Sequence, residues 1–178
     1  TLSEAVVHQR RALNVVASNT EYRRFLRNHL CVQCEVLLQL GDHEGAVASA
    51  EELARISPHR GEDGYNAACF LARGLPLIDQ DRDLPTAQQA KLRKSVTNRV
   101  LQLLRQAVTN DPNRAAVYEL IRDDSDLDPV RECTEFQEIL NEMAPDVPDA
   151  NSEPGDGQPG CSATRQEPGI PQVERGGQ

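Results

Sequence analysis

Cys31 and Cys34 stand three residues apart, the spacing of redox-active dithiols and of half a zinc site. A structural zinc takes four ligands, usually from a second such pair or from two histidines. No second pair is suitably spaced, and only Cys69 and His29 stand as remote candidates. A thioredoxin-type dithiol sits in a strand–helix–strand context, which is absent here. The pair therefore reads as packing chemistry, with Cys34 a small interior residue and Cys31 facing a groove.

Asp124, Asp126, Asp128 and Glu135 occupy the first, third, fifth and twelfth positions of a calcium-loop pattern. The sharp turn of that loop needs glycine at the sixth position, where this chain has Pro129. Proline locks φ near −65° and forbids the turn, so calcium is not expected. Asp128 instead reads as the cap of a short helix begun by Pro129. His8, His29, His43 and His59 never stand four apart on a helix, so they read as surface or turn histidines. No nucleophile elbow, glycine-rich phosphate loop, HRD or DFG motif occurs, so this chain reads as non-enzymatic, without metal or cofactor. Arg10, Arg11, Arg23, Arg24 and Arg27 read as solvated helix faces, with a patch for an acidic peptide as the alternative.

The elements that would carry these residues are helices. Ser3 can cap a first helix, 3–17, with Val6, Val7, Leu13 and Val16 near one face. A second, 20–40, carries Phe25, Leu26, Leu30, Val36, Leu37 and Leu40, and Gly41 stops it. Asp42 caps a third helix, 43–56, with Ala46, Val47, Ala50, Leu53 and Ala54 at helical spacing, and Pro58 ends it. A fourth, 63–78, should bend or end early at Pro76. A long helix, 85–109, follows a polar connector, then a short one, 115–121. Thr134 and Gln137 form a capping-box pattern for the last, 135–143. No segment alternates long enough to be a strand.

Composition agrees. Aromatic residues are 3% of the 178 and tryptophan is absent, so the core must be built from Leu, Val, Ile and Ala. The net charge of −9 argues against a phosphate-backbone partner, and no apolar run is long enough to span a membrane. Five cysteines without dense spacing fit a reducing, cytoplasmic setting. Residues 145–178 hold six of the eleven prolines and six of the eleven glycines, the composition of a disordered tail. The opening Thr1 and the immediate helical pattern read as a piece of a longer protein, which leaves room for a membrane anchor in the parent.

Residues 27–60 make a 34-residue unit of helix, Gly-Asp turn, helix and terminal proline. Leu30, Cys34, Leu37, Gly41, Ala46 and Pro58 fall where the tetratricopeptide-repeat family places its large, small and turn residues, and the unit resembles that family. Gln33, Ala50 and Leu53 depart from the usual Leu, aromatic and Ala. A second unit, 61–114, matches through Ala67, Ala68, Leu71, Val100, Leu104, Ala107 and Pro112, with an insertion of 20 residues at about 72–92. The order YNAACFLARG, acidic loop, VLQLLRQAV, DSDLDPVRECTEFQEIL is similar to the C-terminal repeat region of multidomain bacterial serine/threonine protein kinases.

The resemblance implies an all-α domain, 1–144, of antiparallel helix pairs stacked as a short α-solenoid, followed by the disordered tail. It implies a protein or peptide partner held in a groove lined by first helices, with Asn28, Cys31, Glu35 and Leu38, then Tyr65, Asn66, Cys69 and Arg73, as candidates. Some relatives clamp a peptide's terminal carboxylate with Lys and Asn; Cys31, Glu35, Tyr65 and Cys69 stand at those places here, so that clamp is not expected. The alternative is a structural spacer or a self-associating segment.

Overall fold

The computed structural model of the protein describes residues 1–56, 61–110 and 113–144. The expected Pro58 and Pro112 boundaries and the tail, 145–178, lie outside the described residues. Within them every regular element is a helix: α1 (Leu2–Val15), α2 (Thr20–Gln39), α3 (His43–Ile56), α4 (Gly61–Gln80), α5 (Thr86–Asn110), α6 (Arg114–Asp123), α7 (Asp128–Arg131) and α8 (Thr134–Met143), with a 3₁₀ turn at Ser125–Leu127. This is an all-α architecture of consecutive antiparallel pairs. Each of α1 to α5 packs on its successor, and α2 also meets α4 side by side.

Helix starts follow side chains that can satisfy free N–H groups. Thr1, not Ser3, caps α1: its hydroxyl accepts from the Glu4 N–H (3.3 Å) and the Glu4 carboxylate returns to the Thr1 amine (2.6 Å). Asn19 caps α2 by accepting from the N–H groups of Glu21 (2.9 Å) and Tyr22 (3.1 Å).

The α2–α3 turn is closed by a glycine and an aspartate. Gly41 adopts φ +76°, the left-handed conformation that glycine enters without strain. Gly41 N–H then donates to the Leu38 carbonyl (3.1 Å) and Asp42 N–H to that of Leu37 (2.9 Å), closing a Schellman motif. Asp42 opens α3 by accepting from Gly45 N–H at 2.8 Å. A β-carbon on Gly45 would sit 2.6 Å from that carboxylate, so a larger residue there would have to displace the capping side chain.

Pro76 does not end α4 early: the helix continues through it to Gln80. Its missing N–H costs one backbone bond, and the following turns are held by other means. Leu75 and Ile78 are fully buried, and the Gln89 side-chain amide donates to the carbonyls of Ile78 (2.8 Å), Asp79 (2.9 Å) and Asp81 (3.3 Å). The inserted residues 72–92 therefore lengthen the α4–α5 pair, to 20 and 25 residues, around a short connector.

Two further capping expectations fail. Asp128 is the first residue of α7 rather than its cap, and its carboxylate accepts from Arg131 (2.8 Å). Cys133 occupies the cap position of α8 without a side-chain bond, while the Gln137 amide reaches the Arg131 carbonyl (2.7 Å). Helix-end geometry here is decided by packing of the short segments, which local propensity does not encode.

The core is aliphatic. Leu30, Leu53, Leu71, Leu75, Ile78, Leu103, Leu104, Ile121, Leu127 and Ile139 are almost fully buried, joined by the aromatic Phe136. Full burial of each such side chain is worth about 1.5–3 kcal/mol. On α2 the buried stripe is Leu26, Leu30, Cys34 and Leu38, a four-residue period. Phe25, Val36 and Leu40, apolar residues of the same segment, are exposed, as are Val7 and Val16 on and just after α1.

Candidate functional site

Two first helices, α2 and α4, lie against each other and bring the expected groove residues onto one strip. Glu35 and Arg73 join them through a two-pronged ion pair, Nη1 to Oε2 at 2.8 Å and Nη2 to Oε1 at 3.0 Å. That pair holds the Glu35 carboxyl below its ordinary range. Nearer the start of both helices, Arg27 pairs with Glu62 and with Asp63, which has no exposed surface. A carboxylate buried this deeply needs an ion partner, and Arg27 supplies it. Asn28 is exposed, and Cys31, Glu35, Asn66 and Arg73 are half-buried.

Leu38, Tyr65 and Cys69 do not line an open groove. They are 8%, 8% and 6% exposed. Part of the cover comes from the chain itself, because the 3₁₀ turn at Ser125–Leu127 and α7 pack on α4. Tyr65 donates its hydroxyl to the Asp124 carboxylate, and the Cys69 thiol donates to the same oxygen at 3.6 Å. Arg73 also reaches Asp126 at 3.7 Å and lies 5.9 Å from the Phe70 ring centroid. Leu127 and Val130 are fully buried behind these polar contacts. Nothing local marks this docking: Tyr65 and Asp124 are 59 residues apart.

Burial sets the titration of the strip. It pushes the Cys69 thiol up to about 12, with the Asp124 charge adding to the effect, and it also raises the Tyr65 hydroxyl. Desolvation raises Asp126 as well; Arg73 opposes the shift, and Asp124 and Glu35 reinforce it. Cys34, whose thiol points at the Ala46 carbonyl (3.8 Å), is pushed up to about 12 by burial. Burial raises Cys31 too, although the Arg27 charge works against it. Thiols held in the protonated form are poor nucleophiles, which accords with packing roles for Cys31 and Cys34.

Cys69, Asp124 and Asp126 place one potential ligand atom each within 4.8 Å of one another, the one such group among the described residues. Their polar atoms already serve Tyr65, Arg73 and each other. Asp128 and Glu135, the other positions of the calcium-loop pattern, lie outside the group. The Arg131 guanidinium gathers that loop instead, donating to the carbonyls of Arg122 (2.5 Å) and Asp124 (2.8 Å) as well as to Asp128.

His43 is a turn histidine rather than a surface one: it opens α3 directly after the Gly41–Asp42 turn, is buried, and its Nε2 stands 2.8 Å from Asp81. His8 is exposed, His29 half-buried, and His59 lies outside the described residues. Arg10, Arg11 and Arg24 are exposed, as solvated helix faces should be, and Arg23 and Arg27 are half-buried. Arg10 binds Glu52 on α3, Arg23 the Ala17 carbonyl (2.7 Å), Arg24 Glu21, and Arg27 the acidic pair on α4.

These features define an all-α protein of stacked helix pairs with a partly self-covered inner strip. Compared with models of known families, curated proteins and solved structures, the chain matches none.

Proposed function

We propose that the chain is a protein–protein interaction module that receives a peptide or helix along α2. The supporting observation is a row of large apolar side chains facing solvent on that helix: Phe25 (42% exposed), Val32 (52%) and Val36 (40%). Their spacing places them on one helical face, beside the exposed Asn28 and the Glu35–Arg73 pair. Exposed apolar rows of this kind mark association surfaces more often than scattered single residues do. The polar pair at the border would orient a ligand, while the valines and Phe25 supply contact area.

The reading of this module as the C-terminal part of a larger bacterial serine/threonine kinase rests on the segment order noted in the sequence. The reading frame upstream of Thr1 tests that part directly.

The binding reading is tested with peptides selected from a display library against the whole chain, their affinity followed by fluorescence anisotropy. Val32→Glu should weaken the selected peptides about tenfold or more, while Ala48→Glu, on the exposed side of α3, should not. Failure to select any peptide, or indifference to Val32→Glu, refutes the reading. A sedimentation shift from dimer to monomer in Val32→Glu would favour self-association instead.

A further inference from the structure

We infer that the cleft between the end of α1, the start of α2 and the end of α3 binds an acidic peptide segment of a partner protein that carries one bulky apolar side chain. The cleft is shallow and open to solvent, with a volume of about 490 Å³. Its floor is apolar: Leu26 is buried, and Leu13 and Ile56 are half-buried against the core. Its rim is basic, with Arg10, Arg23 and Arg55 set against the single carboxylate Glu52.

The charge balance at the rim decides the partner. Arg10 and Glu52 neutralise each other through two contacts, and that brace ties α1 to α3 so that the cleft is formed before any ligand arrives. Arg23 donates to the backbone carbonyl of Ala17, which leaves its charge uncompensated. Arg55 is exposed and takes no ion pair among the described residues. Among the described residues, two positive charges therefore stand without a carboxylate partner at the mouth of an apolar cleft. Residues 1–27 as a whole hold five arginines and only two glutamates, in a chain whose net charge is −9.

The overall negative charge does not defeat such binding. At physiological ionic strength, charges beyond about 8 Å are largely screened, whereas the rim arginines act at contact. The rim selects acidic groups and sets their register; the floor takes the apolar side chain that gives affinity. A nucleic-acid backbone would use the rim but leave the floor empty. This surface is separate from the Phe25–Val32–Val36 row, since the cleft meets α2 through Arg23 and Leu26, on the side of the helix that packs inward.

The test is fluorescence anisotropy on the full chain, with a labelled peptide in which glutamates flank one leucine and a counterpart in which lysines replace the glutamates. The acidic peptide should bind and the lysine peptide should not. Arg55→Glu should weaken binding about tenfold or more, and Arg23→Gln should weaken it in the same direction. Arg55 is exposed, so its variant should keep the wild-type circular dichroism spectrum and thermal midpoint. Val32→Glu should leave this binding unchanged, which separates the inference from the function proposed above. Equal binding of the two peptides, or no effect of Arg55→Glu, overturns it. So does Arg55-dependent binding to phosphatidylserine vesicles without peptide binding, or an Arg55-dependent dimer in sedimentation.

Discussion

Ala46 offers the sharpest check on how the first helix pair is packed. The residue is 1% exposed, its carbonyl receives the Cys34 thiol, and Ala50 and Leu53 on the same helix have no exposed surface. Ala46 thus lies buried in the α2–α3 contact just beyond the Gly41–Asp42 turn. Ala46→Leu adds three heavy atoms at a site with no free surface to receive them. Interiors packed to crystal density accept such atoms only by backbone displacement or strained rotamers, at about 1–3 kcal/mol. In a domain of this size that is a fall of about 2–4 °C in Tm for each kcal/mol.

Ala48→Leu is the matched control. Two residues along a helix is a turn of about 200°, and Ala48 is exposed. The added side chain meets solvent and helix propensity barely changes, so the effect should stay within about 0.5 kcal/mol. Guanidinium unfolding of both variants, with unchanged slope against denaturant, reads the difference directly. Equal stabilities, or a more damaging change at Ala48, would show that the α3 faces are assigned wrongly.

Raised thiols make a pH prediction. A thiol whose value rises in the fold contributes its full stability below the unfolded value of about 8.5, and loses it as pH climbs toward about 12. Stability should therefore fall across that alkaline window, less so in Cys34→Ala, and iodoacetamide should modify Cys34 and Cys69 at pH 8 on the order of 100-fold more slowly than free cysteine; alkylation at the free rate would refute the burial argument. Arg131→Ala removes the donor that gathers the Arg122 and Asp124 carbonyls and should cost about 1–3 kcal/mol, while added calcium should leave the wild-type Tm unmoved. A calcium-induced rise in Tm would contradict this account of the loop. Gln89→Ala strips three carbonyls at the end of α4 of their donor and should cost about 1–2 kcal/mol, with faster amide exchange there; unchanged exchange would show that packing alone holds the turns after Pro76.

Local chemistry made the helices readable from the chain. Gly41 and Asp42 announce one stop and the next start because a left-handed glycine and a short carboxylate satisfy orphaned backbone groups on the spot. The spacing of Ala46, Ala50, Leu53 and Ala54 marks a buried face, and all four are buried. Where two local signals are equally good, the chain does not choose between them: Ser3 and Thr1 are both competent caps, and the reciprocal Glu4 contact separates them. On α2, apolar residues surround much of the helix, so periodicity could not tell the buried Leu26–Leu38 stripe from the exposed Phe25, Val32 and Val36.

What remained belongs to contacts between residues far apart in the chain. Asp124 and Asp126 look like a cation loop in one dimension, and three dimensions turn them toward Tyr65, Cys69 and Arg73. Asp63 looks like an ordinary first-turn acid until α2 brings Arg27 to it and the surroundings exclude water. The sequence alone determined helix type, most helix positions and the aliphatic make-up of the core, since those depend on neighbours within a turn or two. Tertiary structure alone decided which candidate groove residues stay open and which charges remain free, because burial and pairing depend on which helices meet and on how water is shut out between them.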